Sequence, residues 1–506
     1  MRINVLEYFL KTLERWPSKL AVADGQQEWS FERLKRRAGA IARQVVNRTE
    51  ATNQPIAVYL PKTNEAIASF LGVLFSGNYY APLDVKAPVG RIRAILSHLE
   101  PALILTTREL GAQLQSAGTD PNGFLILDDV PDDGGRTPDR WQKRIDTDPV
   151  YIIHTSGSTG IPKGVVIAHR GVIDYIDWAR DIFKIDEHCV IGNQAPLIFD
   201  NSTLDLYLCF ACGATLHLIP DELFLFPVRL LEHLAGKSVN FIFWVPSVMV
   251  AVADKKVLDC VKDLRLEKIL FAGEVMSAKH LNIWRSRFPS ALFANLYGPT
   301  EITVDCTYYI VDRDLGDDEA VPIGRPCRNS DILILNEQNQ LAKVDEPGEI
   351  CVRGSSLALG YYNSAERTAE AFVQNPLNPH YPEWIYRTGD SGYWNRRGEI
   401  VFLGRKDFQI KHLGYRIELG EIEHAVLQVD GIRNCCIAYN KDKKEIALFY
   451  ESEKELTPAF IRERLLTLLP KYMLPTIFNW MELMPRNPNG KIDRANLVAA
   501  GQGLSK

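Results

Sequence analysis

Residues 151–164 read Tyr-Ile-Ile-His-Thr-Ser-Gly-Ser-Thr-Gly-Ile-Pro-Lys-Gly, and this stretch predicts a phosphate-binding loop. Residues 151–153 form a β-branched and aromatic run typical of a strand, and residues 155–160 are only Thr, Ser and Gly. Glycine permits positive φ and small hydroxylated side chains leave backbone N–H groups exposed, so such a loop can fold around an anion. Lys163, stiffened by Pro162, adds a point charge within reach of a phosphate oxygen.

A flexible surface linker is the alternative interpretation of a Ser/Gly-rich segment. A linker rarely lies between a hydrophobic strand and a second apolar run, and residues 165–168 are Val-Val-Ile-Ala. Phosphate binding is therefore the favoured interpretation. The loop is not a Walker A motif, because Lys163 is followed by Gly164 rather than by Ser or Thr.

The composition is ordinary for a soluble globular enzyme. The chain has 506 residues, 46% of them apolar and 24% charged, which allows several domains around a large core. A formal net charge of −5 gives no reason to expect a nucleic-acid-binding surface. No apolar run is long enough to cross a bilayer and the N-terminus lacks a signal-peptide core, so we expect a cytoplasmic protein.

The nine cysteines show no framework spacing. Cys209-x-x-Cys212 is the CxxC motif of the chain, but it lies in an apolar stretch without a second pair. A redox or zinc role is the alternative, and small hydrophobic side chains buried in the core are the favoured interpretation.

The order of the apolar segments predicts an α/β multidomain protein. Helix-like and strand-like segments, among them a strand at residues 103–106, alternate up to residue 310, as in parallel α/β sheets. Residues 117–148 are expected to form a largely solvent-exposed excursion that is interrupted by a strand at residues 124–127. Residues 321–403 change to short strands with tight turns, which indicates an antiparallel, β-barrel-like subdomain. Residues 404–407, Gly-Arg-Lys-Asp, mark a boundary, beyond which the pattern is that of a small α+β domain. In that domain, residues 434–439 and 445–450 predict a hairpin, and Thr457-Pro458 predicts a capped helix start.

Three predicted strands are followed by loops that contain Gly or polar residues. They cover residues 241–245, 268–271 and 293–296. Ligands gather at the carboxyl ends of the strands in open parallel sheets, so the loops that follow are expected to meet at one cleft.

Together and in this order, the motifs resemble the adenylate-forming superfamily of acyl-CoA ligases, luciferases and the adenylation domains of nonribosomal peptide synthesis. The matching stretches span nearly the whole chain and are residues 29–34, 80–84, 155–164, 297–301, 386–390, 404–423 and 489–493. The resemblance implies two half-reactions that use ATP and Mg²⁺. A carboxylate attacks the α-phosphorus to give an acyl-adenylate and pyrophosphate, and a thiol then attacks the acyl carbon and releases AMP. Both steps spread negative charge over oxygens, so positioned cations and N–H donors should supply most of the stabilisation.

Carried over residue by residue, the resemblance implies a nucleotide site. Lys491 would bridge the substrate carboxylate and the α-phosphate, Thr300 would donate its hydroxyl to that phosphate, and Glu301 would accompany Mg²⁺. The implied phosphate-loop residues are Thr155, Ser156, Gly157, Ser158, Thr159, Gly160 and Lys163. The implied adenine and ribose contacts are Gly273, Glu274, Asn295, Tyr297, Gly298, Asp390 and Arg405. Without the resemblance, the same residue types read as a solvated lysine, helix caps, strand-ending turns and a surface ion pair.

The resemblance also implies movement of the C-terminal part. It divides the chain into a core (1–404), a hinge (405–408) that includes Asp407, and a mobile α+β domain (409–506). Rotation would exchange Lys491 in the cleft for the region of Gly414, where the thiol approaches. The chain departs from the family at residues 412–413, His-Leu, where relatives often carry Ile-Arg, and at His154, where they often carry Tyr.

The segment Phe-Asp-Asn-Ser-Thr-Leu at 199–204 resembles the amino-acid-selecting core of peptide-synthetase adenylation domains. Asp200 stands where an aspartate pairs with the substrate α-ammonium, and an ammonium in a dry pocket needs such a carboxylate. The implied pocket consists of Asp200, Asn201, Leu204, Phe243, Leu270, Ala272, Leu296, Val304 and Asp305. Six of these are apolar, and that lining resembles stand-alone enzymes that activate L-proline and load it onto a discrete carrier protein.

Asn201 and Asp305 depart from the proline pattern, in which apolar or Cys side chains are usual. If either turns inward, a hydroxylated or otherwise polar amino acid is the alternative substrate, and the D-alanine-loading ligases of cell-wall biosynthesis are another alternative. Because Lys491 lies near the end of the chain, the thiol acceptor is expected to be a separate phosphopantetheinylated carrier protein that serves natural-product biosynthesis.

Two other classes of function remain as alternatives. An ATP hydrolase or kinase could use the same phosphate loop, but the missing Walker-type Lys-Ser/Thr pair counts against it. A catalytically silent nucleotide-binding module is disfavoured by the joint presence of Lys163, Glu301, Asp390 and Lys491.

We expect Lys491→Ala to cripple formation of the aminoacyl-adenylate far more than transfer from a preformed aminoacyl-AMP, because the lysine steadies charge only in the first half-reaction. Pyrophosphate exchange and single-turnover transfer measure the two halves separately. Equal losses in both halves would contradict the role given to Lys491.

Overall fold

The computed structural model describes residues 2–157, 162–405, 409–440 and 443–486, together with Ile492 and Leu497. The helices are α1 (Leu6–Arg15), α2 (Phe31–Arg48), α3 (Asn64–Phe75), α4 (Val89–Leu99), α5 (Arg108–Ser116), α6 (His169–Phe183), α7 (Asn201–Cys212), α8 (Pro227–Gly236), α9 (Pro246–Asp254), α10 (Ala278–Arg287), α11 (Ala365–Ala371), α12 (Leu419–Val426) and α13 (Pro458–Leu466).

The strands run from β1 to β26. They are β1 (Leu20–Ala23), β2 (Glu28–Ser30), β3 (Pro55–Tyr59), β4 (Tyr79–Pro82), β5 (Leu103–Thr106), β6 (Phe124–Ile126), β7 (Pro149–Thr155), β8 (Lys163–Ala168), β9 (Val190–Asn193), β10 (Thr215–Leu218), β11 (Phe241–Trp244), β12 (Lys268–Ala272), β13 (Leu292–Tyr297), β14 (Thr307–Ile310), β15 (Arg325–Pro326), β16 (Ser330–Leu335), β17 (Gly348–Gly354), β18 (Gly360–Tyr361), β19 (Phe372–Gln374), β20 (Trp384–Trp394), β21 (Ile400–Arg405), β22 (Gln409–His412), β23 (Tyr415–Glu418), β24 (Ile432–Asn440), β25 (Glu445–Ser452) and β26 (Ile477–Met481).

Two large mixed sheets carry the first part of the chain. One has nine strands in the order β15-β14-β13-β12-β11-β9-β10-β1-β2, and the other has seven in the order β18-β8-β7-β4-β3-β5-β6. Their central strands are parallel, as the alternation of helices and strands predicts. Antiparallel strands close both edges of the nine-stranded sheet and the β18 edge of the seven-stranded sheet. Side chains of both sheets and of α2, α3 and α7 form one hydrophobic core.

The strand predicted at residues 124–127, within the excursion at residues 117–148, is confirmed as β6. Strand β6 pairs in parallel with β5 and forms an edge of the seven-stranded sheet. Phe124 and Leu125 are buried there, because the apolar edge of a sheet is covered rather than solvated. The segment therefore belongs to the sheet as well as to the surface.

The predicted antiparallel subdomain is confirmed as a third sheet. It has five strands, with the path β16-β17-β20-β19 and with β21 paired to β20. Together these elements give the α/β multidomain fold that the sequence predicts.

The described residues from Gln409 onward, here called the C-terminal module, have a hydrophobic core of their own. The predicted hairpin is present as β24 and β25, which pair antiparallel, with β26 added in parallel. Thr457 caps α13 by accepting the N–H of Phe460, with Pro458 as the first helical residue, as the sequence predicts. A separate hairpin, β22 with β23, lies against the rest of the chain and leads to the functional site.

Candidate nucleotide and amino-acid site

A cavity of about 330 Å³ lies between the loops that follow the strands of the nine-stranded sheet and the β22–β23 hairpin. Strands β11, β12 and β13 are parallel neighbours, so the loops after them meet as predicted. Predicted site residues that line the cavity are Thr155, Ser156, Asp200, Asn201, Gly273, Gly298, Thr300, Asp305, Asp390, Arg405 and Gly414.

Asp200 precedes the first turn of α7, and its carboxylate accepts the N–H of Asn201 at 2.9 Å. The helix ends at Gly213, which has a φ of 73° and suits a left-handed C-terminal cap. The Asp200 side chain lines the cavity rather than the packed interior. Burial raises the pKa of Asp200, while a hydrogen bond from Thr300 and attraction from Lys411 oppose that rise. An ammonium placed beside this carboxylate would restore its charged form.

Asp305 also lines the cavity, so this departure from the proline pattern turns inward. Its Oδ2 accepts the hydroxyl of Tyr175 at 2.6 Å. Burial raises the pKa of Asp305 to about 7, which the Tyr175 hydrogen bond opposes and the charge of Asp200 reinforces. The two preceding residues, Thr303 and Val304, have φ values of 57° and 75°, and this sharp turn directs Asp305 toward the cavity.

The six apolar residues of the implied pocket lie in the hydrophobic core and not at the cavity. They are Leu204, Phe243, Leu270, Ala272, Leu296 and Val304, all fully buried in the main core. None of them is among the residues that line the cavity described here, whose nearby wall carries Asn201 and Asp305 instead. Phe243, Leu270, Ala272 and Leu296 lie on strands and face the core, whereas Asn201 begins α7 and Asp305 lies in the loop between β13 and β14.

The implied ribose contact, Asp390, is held at both oxygens. Oδ1 accepts Arg405 at 2.7 Å and Oδ2 accepts the hydroxyl of Tyr297 at 2.5 Å. The ring of Tyr297 lies 6.0 Å from that of Phe402 and is buried, and Tyr297 does not line the cavity. Arg405 and Asp390 therefore face the cavity as an ion pair, and the buried Tyr297 holds Asp390 in place by its hydrogen bond.

Asn295 does not reach the cavity. Its Nδ2 donates to the carbonyl oxygen of Pro322 at 2.8 Å, because the residue alternates to the other side of β13. Gly273 lies at the cavity with a φ of 93°, while the carboxylate of its neighbour Glu274 accepts the N–H groups of Ser247 and Gly414, each at 2.8 Å.

The described part of the predicted phosphate loop is bonded to the C-terminal module. The Ser156 hydroxyl donates to the carbonyl oxygen of Arg416 at 2.8 Å, and the Gly157 N–H donates to Glu421 at 3.3 Å. Lys163, the first residue of β8, has its Nζ 3.8 Å from Glu418. Groups that the sequence assigns to phosphate therefore contact acceptors of the protein itself.

Glu301 is fully buried and holds a cation. Oε1 accepts the hydroxyl of Tyr361 at 2.8 Å and Oε2 accepts Arg416 at 2.6 Å. Burial alone would raise the pKa of Glu301, but Arg416 and Lys163 lower it to about 2. A buried carboxylate that already binds a guanidinium fits the single carboxylate with which Mg²⁺ commonly supplements phosphate oxygens. Among the residues that the structure describes, no cluster of three His, Cys, Asp or Glu side chains could hold a metal by itself.

The β22–β23 hairpin supplies functional candidates that the sequence analysis missed. Gln409 pairs with Glu418 and Lys411 with Arg416, so these four polar residues share one face, and that face meets the cavity. Burial lowers the pKa of Lys411, and the charges of Asp390 and Asp200 oppose this. Lys411 and Arg416 repel unless anions face them, but their pairing follows from the register of the hairpin and gave no signal in the sequence.

The tip of the hairpin is a two-residue turn. Leu413 and Gly414 have φ values of 52° and 82°, as in a type I′ turn, although leucine rarely adopts this conformation. Gly414 approaches Val245 so closely that a Cβ would lie 2.9 Å from its Cγ1. Two other residues that depart from the family pattern lie nearby. His412 Nδ1 lies 3.1 Å from the Tyr439 hydroxyl oxygen, and His154 lines the cavity.

Some predicted residues lie outside the described residues: Ser158, Thr159, Gly160, Asp407 and Lys491. Cys209 and Cys212 are free and buried, and burial raises the pKa of Cys212 to about 12, as fits a core position. Of the nine cysteines, Cys260 is the exposed one.

The family model of the AMP-binding enzymes matches residues 9–362. Tyrocidine synthase 1 of Brevibacillus parabrevis is 31% identical over 497 residues, which are 98% of this chain and 45% of that protein. Zwittermicin A synthase ZmaJ of Bacillus cereus is 30% identical over 513 residues, 99% of this chain and 96% of that protein. The chain therefore belongs to the AMP-binding enzyme family. Within it, the chain is an amino-acid adenylation domain of nonribosomal peptide synthesis.

Solved structures support the same assignment. PA1221, an NRPS protein containing adenylation and PCP domains, matches with a TM-score of 0.84 and 25% identity over 98% of this chain and 84% of that one. The Vibrio cholerae adenylation domain AlmE, solved with glycyl-adenosine-5'-phosphate, has the same fold, with a TM-score of 0.85 and 22% identity over 99% of this chain and 98% of that one. In the part of the chain that the structure describes, no helix is long and apolar enough to cross a membrane.

We expect Asp305→Asn to stabilise the protein increasingly as the pH rises from 4 to 8. The pKa of Asp305 is raised to about 7 in the folded state. Below pH 4 the carboxyl is protonated in the folded and the unfolded state. Between pH 4 and about 7 the unfolded state ionises first, so the carboxyl of Asp305 increasingly opposes folding. The shift corresponds to roughly 4 kcal/mol at most. Thermal unfolding across the pH range measures the effect, with surface Asp318→Asn as control. Parallel stability curves for Asp305→Asn and the unaltered chain would contradict it.

Proposed function

We propose that the protein activates an amino acid with ATP and transfers it to the phosphopantetheine thiol of a separate carrier protein, in the cytoplasm. Amino-acid adenylation follows from the family, and the acceptor is the further step. The observation that carries the proposal is the docked β22–β23 hairpin, which places Lys411 and Gly414 at the cavity beside Asp200 and Asp390. PA1221 is described as containing adenylation and PCP domains, which supports a carrier as the acceptor here.

Each half-reaction has its own proposed residues. In the first, Asp200 holds the α-ammonium, Thr300 donates to the α-phosphate, and Asp390 with Arg405 holds the ribose. Bound Mg²⁺ would supply charge neutralisation at the phosphates from Glu301. Lys491 acts in this half, and the hinge at Asp407, between the proposed core (1–404) and mobile domain (409–506), then exchanges it for the hairpin.

In the second half, Lys411 is proposed to stabilise negative charge on the adenylate as the thiol attacks. Its ammonium lies in a cavity with Asp200 and Asp390, and a dry cavity strengthens such attractions. The thiol arm would approach past Gly414, whose missing side chain lets the hairpin pack closely against Val245 at the edge of the cavity. Adenylate formation and thiol transfer thus use different lysines.

L-Proline is the substrate that the sequence favours, on the strength of its six apolar positions. A small apolar ring gains about 1–3 kcal/mol per well-packed methylene at most. A polar or hydroxylated amino acid is the second candidate, and it is favoured by Asn201 and Asp305 at the cavity. D-Alanine is a further alternative, because its methyl side chain requires neither the apolar positions nor the polar pair of Asn201 and Asp305.

Exchange of labelled pyrophosphate into ATP distinguishes these substrates. The panel pairs L-proline with 4-hydroxyproline, L-valine with L-threonine and L-alanine with L-serine, and includes D-alanine. If Asp305 contacts the substrate, the hydroxylated member of each pair is used better, and Asp305→Val reverses the preference by tenfold or more, since an unpaired buried acid penalises the apolar analogue. A clear preference for L-proline that Asp305→Val leaves unchanged would support the apolar pocket instead. Asp200→Ala should abolish exchange with every substrate.

We expect Lys411→Ala to slow thioester formation at least a hundredfold while pyrophosphate exchange changes little. The lysine enters the cavity only with the docked hairpin, so its charge is lost only from the second half-reaction. Single-turnover transfer of a preformed aminoacyl-AMP to pantetheine measures it, with Lys454→Ala on the module surface as control. A loss confined to exchange would contradict the role.

The product of ATP separates the proposal from another class. An adenylating enzyme releases AMP and pyrophosphate, whereas a kinase or ATP hydrolase releases ADP. Amino-acid-dependent ADP release would overturn the proposal.

A further inference from the structure

Two carboxylates, Asp200 and Asp305, line the same cavity and lie close enough to repel each other. Burial is the main cause that raises the pKa of Asp305, and the negative charge of Asp200 raises it further. Asp305 is only 2% exposed. One α-ammonium can neutralise one of these groups, so the second carboxylate needs a partner of its own.

The Asp305 carboxylate is held in place but only half satisfied. Its Oδ2 accepts the hydroxyl of Tyr175 at 2.6 Å, and Tyr175 itself stacks on Trp178 within α6, with ring centroids 5.7 Å apart. Among the residues that the structure describes, none donates a hydrogen bond to the other oxygen, Oδ1. A fixed carboxylate at the cavity therefore offers one oxygen to a ligand.

Other carboxylates at the cavity have cations assigned to them. Asp390 forms an ion pair with Arg405 at 2.7 Å, and the proposed function pairs Asp200 with the α-ammonium. The positive charge of Lys411 does reach Asp305 and lowers its pKa, against the larger effect of burial. Lys411 belongs to the docking hairpin, however, and the proposed function uses it only in the second half-reaction. During adenylate formation, Asp305 is the carboxylate that waits for a cation.

We infer that the amino acid carries a second amine on a short side chain, and that Asp305 binds this ammonium while Asp200 binds the α-ammonium. The side chain is short because the two carboxylates are near neighbours. The inference rests on the proposed function and narrows its polar candidate to short diamino acids, such as 2,3-diaminopropionate and 2,4-diaminobutyrate.

An ammonium satisfies this carboxylate better than a hydroxyl does. The hydroxyl of Tyr175 already provides a neutral donor, and a second hydroxyl would leave a buried negative charge beside Asp200 unpaired. An ammonium donates to Oδ1 and neutralises the charge at once, and such charge-assisted hydrogen bonds are the strong ones. An apolar side chain would leave Oδ1 without any partner, which penalises it most.

Exchange of labelled pyrophosphate into ATP with isosteric substrates tests the inference on the unaltered chain. One set compares 2,3-diaminopropionate with serine and 2-aminobutyrate, and another compares 2,4-diaminobutyrate with homoserine and norvaline. Amine, hydroxyl and methyl groups then occupy the same place. We expect kcat/KM for one of the diamino acids to exceed that of its neutral isosteres and of L-proline by about a hundredfold or more.

Two variants separate the charge from the hydrogen bond. Asp305→Asn removes the charge but keeps an acceptor for Tyr175, and it should lower kcat/KM for the preferred diamino acid by about a hundredfold while changing that of its methyl isostere little. Tyr175→Phe removes the donor but keeps the charge, so the preference for the amine should persist. Asp318→Asn, an exposed change, is the control and should behave as the unaltered chain.

The outcomes distinguish the inference from the proposed function. A diamino preference that survives Asp305→Asn would overturn the inference, because Asp200 or a general attraction for cations would then explain it. Equal or better use of a hydroxylated or apolar isostere by the unaltered chain would also overturn it, and the proposed function would stand. Absence of exchange with every amino acid would overturn the proposed function itself.

Discussion

The ion pair between Glu301 and Arg416 is the contact on which the arrangement of the site depends. It joins a buried carboxylate next to the nine-stranded sheet to a guanidinium of the C-terminal hairpin at 2.6 Å. Losing one partner of such a pair leaves an uncompensated buried charge, which typically costs about 3–5 kcal/mol. Further inter-module contacts, at Gly157, Lys163 and Glu274, lie at the same cleft. The module therefore docks on the functional site itself and not beside it.

The acids of the cavity show how burial and chemistry are connected. Asp200 and Asp305 are both removed from water, and burial raises the pKa of each. Their environments differ, because Asp200 has Thr300 and the cap of α7 while Asp305 has the hydroxyl of Tyr175. A cation or a hydrogen-bond donor from a substrate would relieve the cost of burying each group. The cavity is thus selective through polar groups that are unfavourable until a ligand enters.

Local patterns in the sequence predicted much of the fold. Residues 103–106 were predicted as a strand, and the cap at Thr457 was predicted from two adjacent residues. Both depend on neighbours in the chain, which a sequence displays directly. The convergence of three strand ends also follows from a general rule of parallel sheets. Asn295 and the apolar strand positions of the implied pocket were harder, because the face on which a strand residue lies depends on the exact register of the sheet.

The hairpin at residues 409–418 shows the limit of such reasoning. Its alternation of polar and apolar residues is typical of a strand with one face in water, and Ile417 does lie in the core of the module. The polar face is nevertheless covered by another part of the chain. Contact between modules leaves no periodic signal in either partner, so Lys411 and Arg416 could not be recognised as site residues from their own segment.

The pairing of Lys411 with Arg416 has a consequence for reversibility. Two cations at opposed positions repel each other, and in this hairpin the repulsion is offset while Glu301, Asp200 and Asp390 face it. Freed from the cleft, the hairpin would regain the hydration of its charges but keep the repulsion. Water and the cleft thus compete for the same two charged side chains. An element held by charge attraction in this way suits the exchange of Lys491 for the hairpin that is proposed for each turnover.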